Sequence, residues 1–167
     1  MVNYRRVFIP GGCYFFTLTL KDRRLKLLTE QIDLLRDAFH YALARYPCHI
    51  QAISVMPDHI HLLVQLPNDT TYFPKLIQSI KSRFSLLIHQ HVGKNHKSIW
   101  QSRYWEHCIR DERDWLMHIN YIHRNPYKHH LVKFVKDWPY SSFHQYVQRG
   151  ILTDSWQGEE LDGYFGE

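Results

Sequence analysis

The chain has 167 residues, of which 44% are hydrophobic and 15% aromatic, and this is enough apolar material for one sizeable buried core. Its formal charge of +5 is too modest to identify a partner, but it favours a polyanion. Three widely spaced cysteines without a Cys-x-x-Cys pair argue against a disulfide framework and indicate a reducing compartment. We find neither a signal-peptide pattern nor an apolar run long enough to cross a bilayer, and we therefore expect a cytoplasmic protein with no membrane partner.

Seven elements are predicted in chain order: strand, helix, strand, strand, helix, strand and helix. Aromatic and β-branched runs bounded by turn residues predict strands at 13–20, 49–56, 59–66 and 104–109. Apolar residues at helical spacing predict helices at 31–46, about 75–91 and about 112–124, the last with Asp111 as N-cap. This order predicts an α+β fold with a ferredoxin-like β-α-β-β-α-β core, an antiparallel sheet with helices on one face, and an additional C-terminal helix.

The charges are distributed unevenly along the chain. Residues 1–150 are expected to form a single domain, followed by an acidic tail over residues 151–167 with no convincing helix or strand. The stretch from residue 75 to 110 has one acid, Glu106, and seven basic residues: Lys75, Lys81, Arg83, Lys94, Lys97, Arg103 and Arg110. This asymmetry suggests a functional role, and the alternative is an ordinary solvated helix face followed by a disordered tail.

The segment "MPDHIHLLVQLP", Met56–Pro67, carries two histidines inside an apolar strand. Because side chains alternate along a strand, His59 and His61 share one face while their aliphatic neighbours share the other. Two neutral imidazoles on one face can chelate a metal ion, and the lack of a suitable Cys pair favours a metal with open coordination positions over structural zinc. The alternative is two histidines exposed on a solvated sheet face.

A second candidate group lies in "HINYIHRNP", His118–Pro126. Tyr121 and Asn125 are four residues apart, so on a helix they lie one above the other. Beside a metal ion, the phenol would supply a nucleophile and the carboxamide a third ligand. Alternatively, Tyr121 is a half-buried side chain at a helix edge, and Asn125 merely ends the helix before Pro126.

Together these segments resemble the REP-associated tyrosine transposases, relatives of the single-tyrosine HUH transposases of bacterial insertion sequences. The resemblance extends from about Arg5 to Val147 and is carried by "RRVFIPGGCYFFTLTL", "MPDHIHLLVQLP", "IKSRF", "WQSRYWEHCIRDERDW", "NYIHRNPYKHHLV" and "DWPYSSFHQYV", in the family's order. It implies an enzyme that cleaves and rejoins single-stranded DNA at hairpins called repetitive extragenic palindromes, or REPs. It also implies that Tyr121 is the nucleophile.

The resemblance implies that His59, His61 and Asn125 hold Mg²⁺ or Mn²⁺, and that attack by Tyr121 leaves a 5′-phosphotyrosine. It favours a monomer, with a dimer that exchanges the tyrosine helix as the alternative. Basic residues that neutralise phosphates and aromatic residues that stack on unpaired bases are the expected DNA contacts. They are Arg5, Arg6, Lys75, Lys81, Arg83, Trp100, Arg103, Tyr104 and Arg110. The acidic tail is expected to lie over the basic groove and restrain activity.

Two positions depart from the family pattern. Tyr127 replaces a common valine and is a rival nucleophile, and His130 replaces a glycine that usually ends the helix. Two other functions stay open at this point: a DNA-hairpin-binding protein that has lost catalysis, and a metal nuclease directed at RNA.

Overall fold

The computed structural model describes residues 5–93, 95 and 98–167, so Lys94 and Lys97 of the basic stretch lie outside the described residues. The strands are β1 (Cys13–Thr19), β2 (His49–Val55), β3 (His59–Gln65) and β4 (Trp105–Cys108). The α-helices are α1 (Leu27–Glu30), α2 (Ile32–Arg45), α3 (Phe73–His91), α4 (Glu112–Lys128) and α5 (Phe143–Gln148), and a 3₁₀ turn covers Val135–Asp137. Within the described residues, no helix is both long and apolar enough to cross a membrane.

The four strands form one antiparallel sheet in the order β2-β3-β1-β4, which confirms the predicted ferredoxin-like core. The strand that carries the two histidines is β3, and it lies between β2 and β1 in the interior of the sheet. On β1, Thr17 is opposite His61 and Thr19 is opposite His59. Because β3 is hydrogen-bonded on both sides, the two imidazoles start from a well-fixed backbone.

The two faces of the sheet bury different side chains, as the alternation along β3 predicts. Ile60, Leu62 and Val64 of β3 belong to the core beneath α2 and α3. Leu63 belongs to a second cluster, on the opposite face, which includes residues of α4. The prediction that the helices lie on one face therefore holds for α2 and α3, whereas α4 covers the face that carries the histidines.

Helix α4 begins and ends with specific caps. The Asp111 side chain accepts a hydrogen bond from the Asp114 backbone N–H at 2.8 Å, as predicted. The helix then continues through Pro126 to Lys128, so it is four residues longer than the predicted helix over about 112–124. It ends in a Schellman motif, in which His130 adopts φ +57° and the Leu131 N–H bonds the Pro126 carbonyl at 3.0 Å. These added bonds offset the one that proline cannot donate, and His130 adopts the left-handed conformation that a glycine usually takes.

Residues 151–167 follow α5, a short helix that was not predicted from the sequence. They contain no helix or strand and run back along α4, where the Asn120 side chain donates to the Glu159 carbonyl at 3.1 Å. Phe165 is buried in the cluster beneath α4. The tail therefore ends against the face of the sheet that carries the histidines.

Candidate active site

Both histidines of β3 are buried, and each is oriented by a hydrogen bond to its Nδ1 atom. His59 Nδ1 lies 2.7 Å from the Asp58 carboxylate, which also pairs with Arg23 at 2.7 Å. His61 Nδ1 lies 2.9 Å from the Thr17 hydroxyl, which itself donates to the Phe165 carbonyl. Both Nε2 atoms are left to face the site, an arrangement typical of metal-binding histidines.

Helix α4 supplies the remaining groups from the face that looks onto β3. The Tyr121 ring centre is 5.0 Å from that of His61, within the same chain. Asn125 follows one helical turn later and is fully buried. Lys128 places its ammonium nitrogen 3.4 Å from the Tyr121 hydroxyl and 4.9 Å from the centre of its ring. His129, at the end of the helix, has its ring centre 5.1 Å from that of His59.

A carboxylate from the tail lies at the point where these groups converge. Glu167 Oε1 is 2.9 Å from His61 Nε2, 3.1 Å from His129 Nε2 and 2.6 Å from the Asn125 amide nitrogen. The Tyr121 hydroxyl donates to the same oxygen, and Lys128 Nζ is 2.8 Å from Oε2. An anion held by these donors shows that the site accepts a negatively charged oxygen.

The side chains present fit a divalent cation. His59 Nε2 is 3.7 Å from Glu167 Oε1, too long for a hydrogen bond, and is buried without a hydrogen-bond partner. Asn125 Oδ1 is likewise buried and unpartnered. An imidazole nitrogen and an amide oxygen are both metal ligands, and no hydrogen bond occupies either of these two atoms. Together with His61, they form a donor set for a cation with open coordination positions.

The protonation states in the site follow from burial and the tail carboxylate. Burial lowers the pKa of His61 to about 3, so this imidazole is neutral at physiological pH. Burial and the hydrogen-bonded, negatively charged Glu167 raise the pKa of Tyr121 far above its usual range. Burial alone would raise the pKa of Glu167, but hydrogen bonds from histidines and Lys128 hold it well below its usual range. With the tail in place, Tyr121 is therefore a protonated phenol, unsuited to attack.

The tail also covers the phenol. The Phe165 ring stacks on Tyr121 with centres 3.8 Å apart, and Tyr121 is only 6% exposed. Gly166 makes the final turn at φ +83°, with the Trp105 side chain where a Cβ atom would lie. The cavity between the tail and α4 beside Tyr121 measures about 70 Å³, against roughly 300 Å³ or more for a typical ligand pocket. A ligand of typical size therefore cannot reach Tyr121 unless the tail moves.

A second polar cluster fastens α4 to β4. Asp114 Oδ2 accepts from His107 Nε2 at 2.7 Å and from the Arg110 backbone N–H at 2.9 Å. His118 Nδ1 lies 2.7 Å from the Asp114 carbonyl. Three of these side chains, His107, Asp114 and His118, are close enough to hold a metal ion, but their polar atoms already bond one another and Arg110 adds a positive charge. We interpret the cluster as an anchor for the first turn of α4.

The basic residues expected to contact DNA fall into separate groups. Arg6 and Lys81 flank the Tyr104 ring, at 5.0 and 5.7 Å from its centre, beside edge strand β4. Lys75 and Arg83 instead line a groove between α2 and α3, on the face of the sheet opposite Tyr121. The other three predicted basic contacts are exposed: Arg5, Arg103 and Arg110.

Trp100 contradicts the expectation that it stacks on unpaired bases. It is only 6% exposed and packs against Phe84 of α3, with ring centres 5.6 Å apart. Its indole N–H donates to the Lys81 carbonyl at 3.1 Å. A side chain held in the core by both its ring and its only donor has no face to offer a base, so this prediction is wrong.

Three residues of the site were missed by the sequence analysis: Lys128, His129 and Glu167. The first two follow Pro126, which was taken as the end of the helix. Continuation of helical spacing from Tyr121 and Asn125 to Lys128 and His129 was the signal that could have found them. No local pattern marked Glu167, whose position depends on the path of the whole tail.

The rival nucleophile Tyr127 lies elsewhere. Its side chain is 37% exposed, and the Arg124 guanidinium lies 5.2 Å from its ring centre. Among the described contacts, none joins Tyr127 to His59 or His61. The geometry therefore brings Tyr121, and not Tyr127, to the histidine pair.

Comparison with known proteins identifies the class to which this fold and site belong. The family model described as "Transposase IS200 like" matches residues 12–125, a segment that includes both histidines, Tyr121 and Asn125. The chain belongs to the IS200-like transposase family, and it is accordingly an enzyme of the transposase and DNA nuclease class.

The similar proteins narrow this assignment to the REP-associated tyrosine transposases. An Escherichia coli REP-associated tyrosine transposase is 41% identical over 100% of this chain and 98% of its own length. A Haemophilus influenzae relative, named as a candidate member of the same group, is 43% identical over 95% of this chain and 94% of its own. A solved REP-associated tyrosine transposase bound to a REP hairpin is 42% identical, with a TM-score of 0.91, and covers 100% of this chain and 98% of that one.

Proposed function

We propose that this chain is a metal-dependent endonuclease and strand transferase for single-stranded DNA, which cleaves and rejoins at REP-like hairpins through a 5′-phosphotyrosine. One observation carries the proposal: His59, His61, Tyr121 and Asn125 converge on the single position held by Glu167 Oε1. A nucleophile and a ligand set for a cation thus surround a point that already accepts an anionic oxygen.

The proposed DNA partner is a hairpin of the REP type. The solved relative with the matching fold is bound to such a hairpin, and the similarity extends over the whole chain. Arg6, Lys81 and Tyr104 form a patch beside β4 that combines two cations with an aromatic ring, the combination that suits phosphates and unpaired bases. We assign this patch, with Arg103, as the DNA contact nearest to edge strand β4.

His59, His61 and Asn125 would hold Mg²⁺ or Mn²⁺. When bound, such an ion neutralises charge on the scissile phosphate and orients it for in-line attack. The carboxylate of Asp58 and the hydroxyl of Thr17 keep the two imidazoles turned so that their Nε2 atoms face the site.

Tyr121 would attack the phosphorus atom of the scissile phosphodiester. The phenol loses its proton as the new P–O bond forms, and the 3′ oxygen leaves with a proton as a free 3′ hydroxyl. The DNA 5′ end stays attached to Tyr121, and attack by the 3′ hydroxyl of a second strand reverses the step and joins the strands. Lys128, whose ammonium lies 3.4 Å from the phenol oxygen, can donate to the developing phenolate.

We propose that the tail restrains activity by blocking the site itself. Glu167 occupies the position proposed for the phosphate oxygen, and Phe165 covers the nucleophile, so the tail must leave before DNA can bind. The tail does not cover the basic groove between α2 and α3. We propose that release of residues 165–167 precedes each catalytic cycle.

A monomer is the simplest unit for this chemistry. Tyr121 and His61 of one chain are already in contact, so no partner need supply the helix that carries the tyrosine. We propose that the enzyme acts as a monomer with the tyrosine in cis.

A denaturing gel tests the function. The protein is incubated with end-labelled REP-type DNA hairpins or RNA hairpins and Mn²⁺, with the Glu167→Ala variant included to open the site. We expect a slow-migrating covalent adduct with DNA, lost in Tyr121→Phe and retained in Tyr127→Phe, which removes the neighbouring exposed hydroxyl.

The other outcomes separate the alternatives. Loss of the adduct only in Tyr127→Phe would assign the chemistry to that residue instead. Tight DNA binding without an adduct in any variant would indicate a catalytically silent hairpin-binding protein. Cleaved RNA without an adduct would indicate a metal nuclease directed at RNA.

A further inference from the structure

His129 is held in a defined position at the end of α4. Its backbone N–H bonds the Asn125 carbonyl at 3.0 Å, and the Schellman motif formed by the next two residues fixes the chain on its other side. The side chain is half-buried and its ring lies beside His59. It was absent from the ligand set that the sequence and the family resemblance indicate.

His129 reaches the same carboxylate oxygen as the histidines of β3, although the side chains whose ligand atoms all lie within 4.8 Å of one another are His59, His61 and Glu167. Oε1 lies 3.1 Å from His129 Nε2, 2.9 Å from His61 Nε2 and 3.7 Å from His59 Nε2. Three imidazoles thus present the same kind of nitrogen to one point. Of the three, only His129 lies at the end of the helix that also carries Tyr121.

The spacing between the rings is compatible with a shared metal ion for two of the three pairs of imidazoles. An imidazole nitrogen lies about 2.1 Å from a bound transition metal, so the ring centre lies about 3.3 Å from it, and two rings at about 90–110° have centres about 4.6–5.3 Å apart. The observed separations are 4.8 Å for His59 and His61 and 5.1 Å for His59 and His129. Both pairs fall within that interval.

We propose that His129 is a further protein ligand of the catalytic cation, an inference that rests on the metal-dependent function proposed above. The site then offers three imidazole nitrogens and the Asn125 amide oxygen. Such a nitrogen-rich set suits a divalent first-row transition metal, because imidazole is a softer ligand than the oxygens that magnesium prefers.

This assignment gives the cation a second task. His59 and His61 belong to the sheet, whereas Asn125 belongs to α4 and His129 directly follows it, so the ion joins the two parts of the site. Binding of the ion therefore fixes the end of the helix that carries Tyr121, and departure of Glu167 exchanges one contact of His129 for another.

The test measures Mn²⁺ affinity by EPR titration in full-length protein carrying Glu167→Ala, which removes the competing carboxylate. We expect His129→Ala in this background to bind Mn²⁺ about 10-fold or more weakly, a loss at least as large as that for removing an outer-shell partner of a ligand. Pulsed EPR should detect one fewer coordinated imidazole nitrogen. His130→Gly is the matched control: it removes the adjacent exposed imidazole at a backbone position that suits glycine, and it should leave both readings unchanged.

The inference is overturned if His129→Ala binds Mn²⁺ as tightly as its parent. It is also overturned if affinity falls while the number of coordinated nitrogens stays the same, because His129 would then only position the site. Thermal melts check that the variants fold, and His129→Gln replaces His129→Ala should the latter unfold. Failure of the proposed function looks different: the Glu167→Ala parent itself would bind no Mn²⁺, or its binding would survive His59→Ala.

Discussion

Removal of the Glu167 carboxylate should accelerate DNA cleavage, because the docked tail occupies the position that we propose for the scissile phosphate. Glu167→Ala deletes that anion but leaves the proposed ligands and the nucleophile untouched. The apparent rate of a chain that is active only when open is reduced by the fraction of open molecules. The gain in rate therefore measures the free energy with which the tail is held closed.

The contacts of the tail set the size of the effect. Glu167 accepts from Tyr121 and Asn125, which are buried, and from Lys128 and His129, which are partly exposed. Charge-assisted hydrogen bonds contribute about 1.5–3 kcal/mol each when buried and less when exposed. We therefore take about 6 kcal/mol for these four hydrogen bonds together. Ordering residues 165–167 costs about 1–1.5 kcal/mol of backbone entropy each, which leaves about 1.5–3 kcal/mol. We expect single-turnover cleavage to rise about 10- to 150-fold.

Two further variants make the assay decisive. Gly166→Ala keeps the carboxylate, yet its Cβ would lie 2.3 Å from Trp105 side-chain atoms and its φ of +83° disfavours any residue but glycine, so it should also accelerate cleavage. Asp162→Ala removes an exposed acid of the same tail and should change nothing. Equal rates for the wild type, Glu167→Ala and Gly166→Ala across a range of Mn²⁺ concentrations would refute the reasoning.

Three other substitutions probe the supports of the site. Asp58→Asn should weaken Mn²⁺ binding about 10- to 100-fold in EPR titrations, because the carboxylate orients His59; unchanged affinity would remove Asp58 from that role. Trp100→Ala should lower the free energy of unfolding by about 3–5 kcal/mol, whereas Trp100→Phe should bind a DNA hairpin like the wild type; a clear loss of affinity in Trp100→Phe would restore the stacking role. Asp114→Asn should lower the free energy of unfolding by about 2 kcal/mol at neutral pH. Burial raises the pKa of Asp114, but bonds from His107 and Arg110 lower it below 3.8, so the stability it contributes is present above that pH and is lost as the pH falls further below it. Urea denaturation over a pH series should therefore show the two proteins converging in acid, and a constant gap would contradict this account.

The parts of the site that the sequence predicts are those set by local periodicity. Alternation along a strand places His59 and His61 on one face whatever the rest of the chain does. Helical spacing likewise aligns Tyr121 with Asn125. The histidine pair belongs to β3 and the Tyr121–Asn125 pair to α4. Only the packing of α4 on the sheet brings the two pairs together, and local spacing does not encode that packing.

The features that were missed depend on the path of the chain over long distances. Glu167 reaches the histidines because residues 151–167 cross α4, a route that no short pattern encodes. The burial of Trp100 depends on its fit against α3, since an aromatic residue in a basic segment looks the same whether it faces the core or solvent. Pro126 misled the prediction of the helix end, because the cost of one lost hydrogen bond was met by bonds formed three to five residues further on.

The site is divided between a strand and a helix. The distance from Tyr121 to the histidines of β3 therefore depends on how far α4 lies from the sheet. Between α4 and the sheet lie Ile119 and Ile122 on one side and Ala52 and Leu63 on the other, all buried. The small side chain of Ala52 lets the helix approach closely. A bulkier residue there would lift α4 and draw the phenol away from β3. The size of the side chain at position 52 can thus change the rate of this enzyme while every reacting group stays the same.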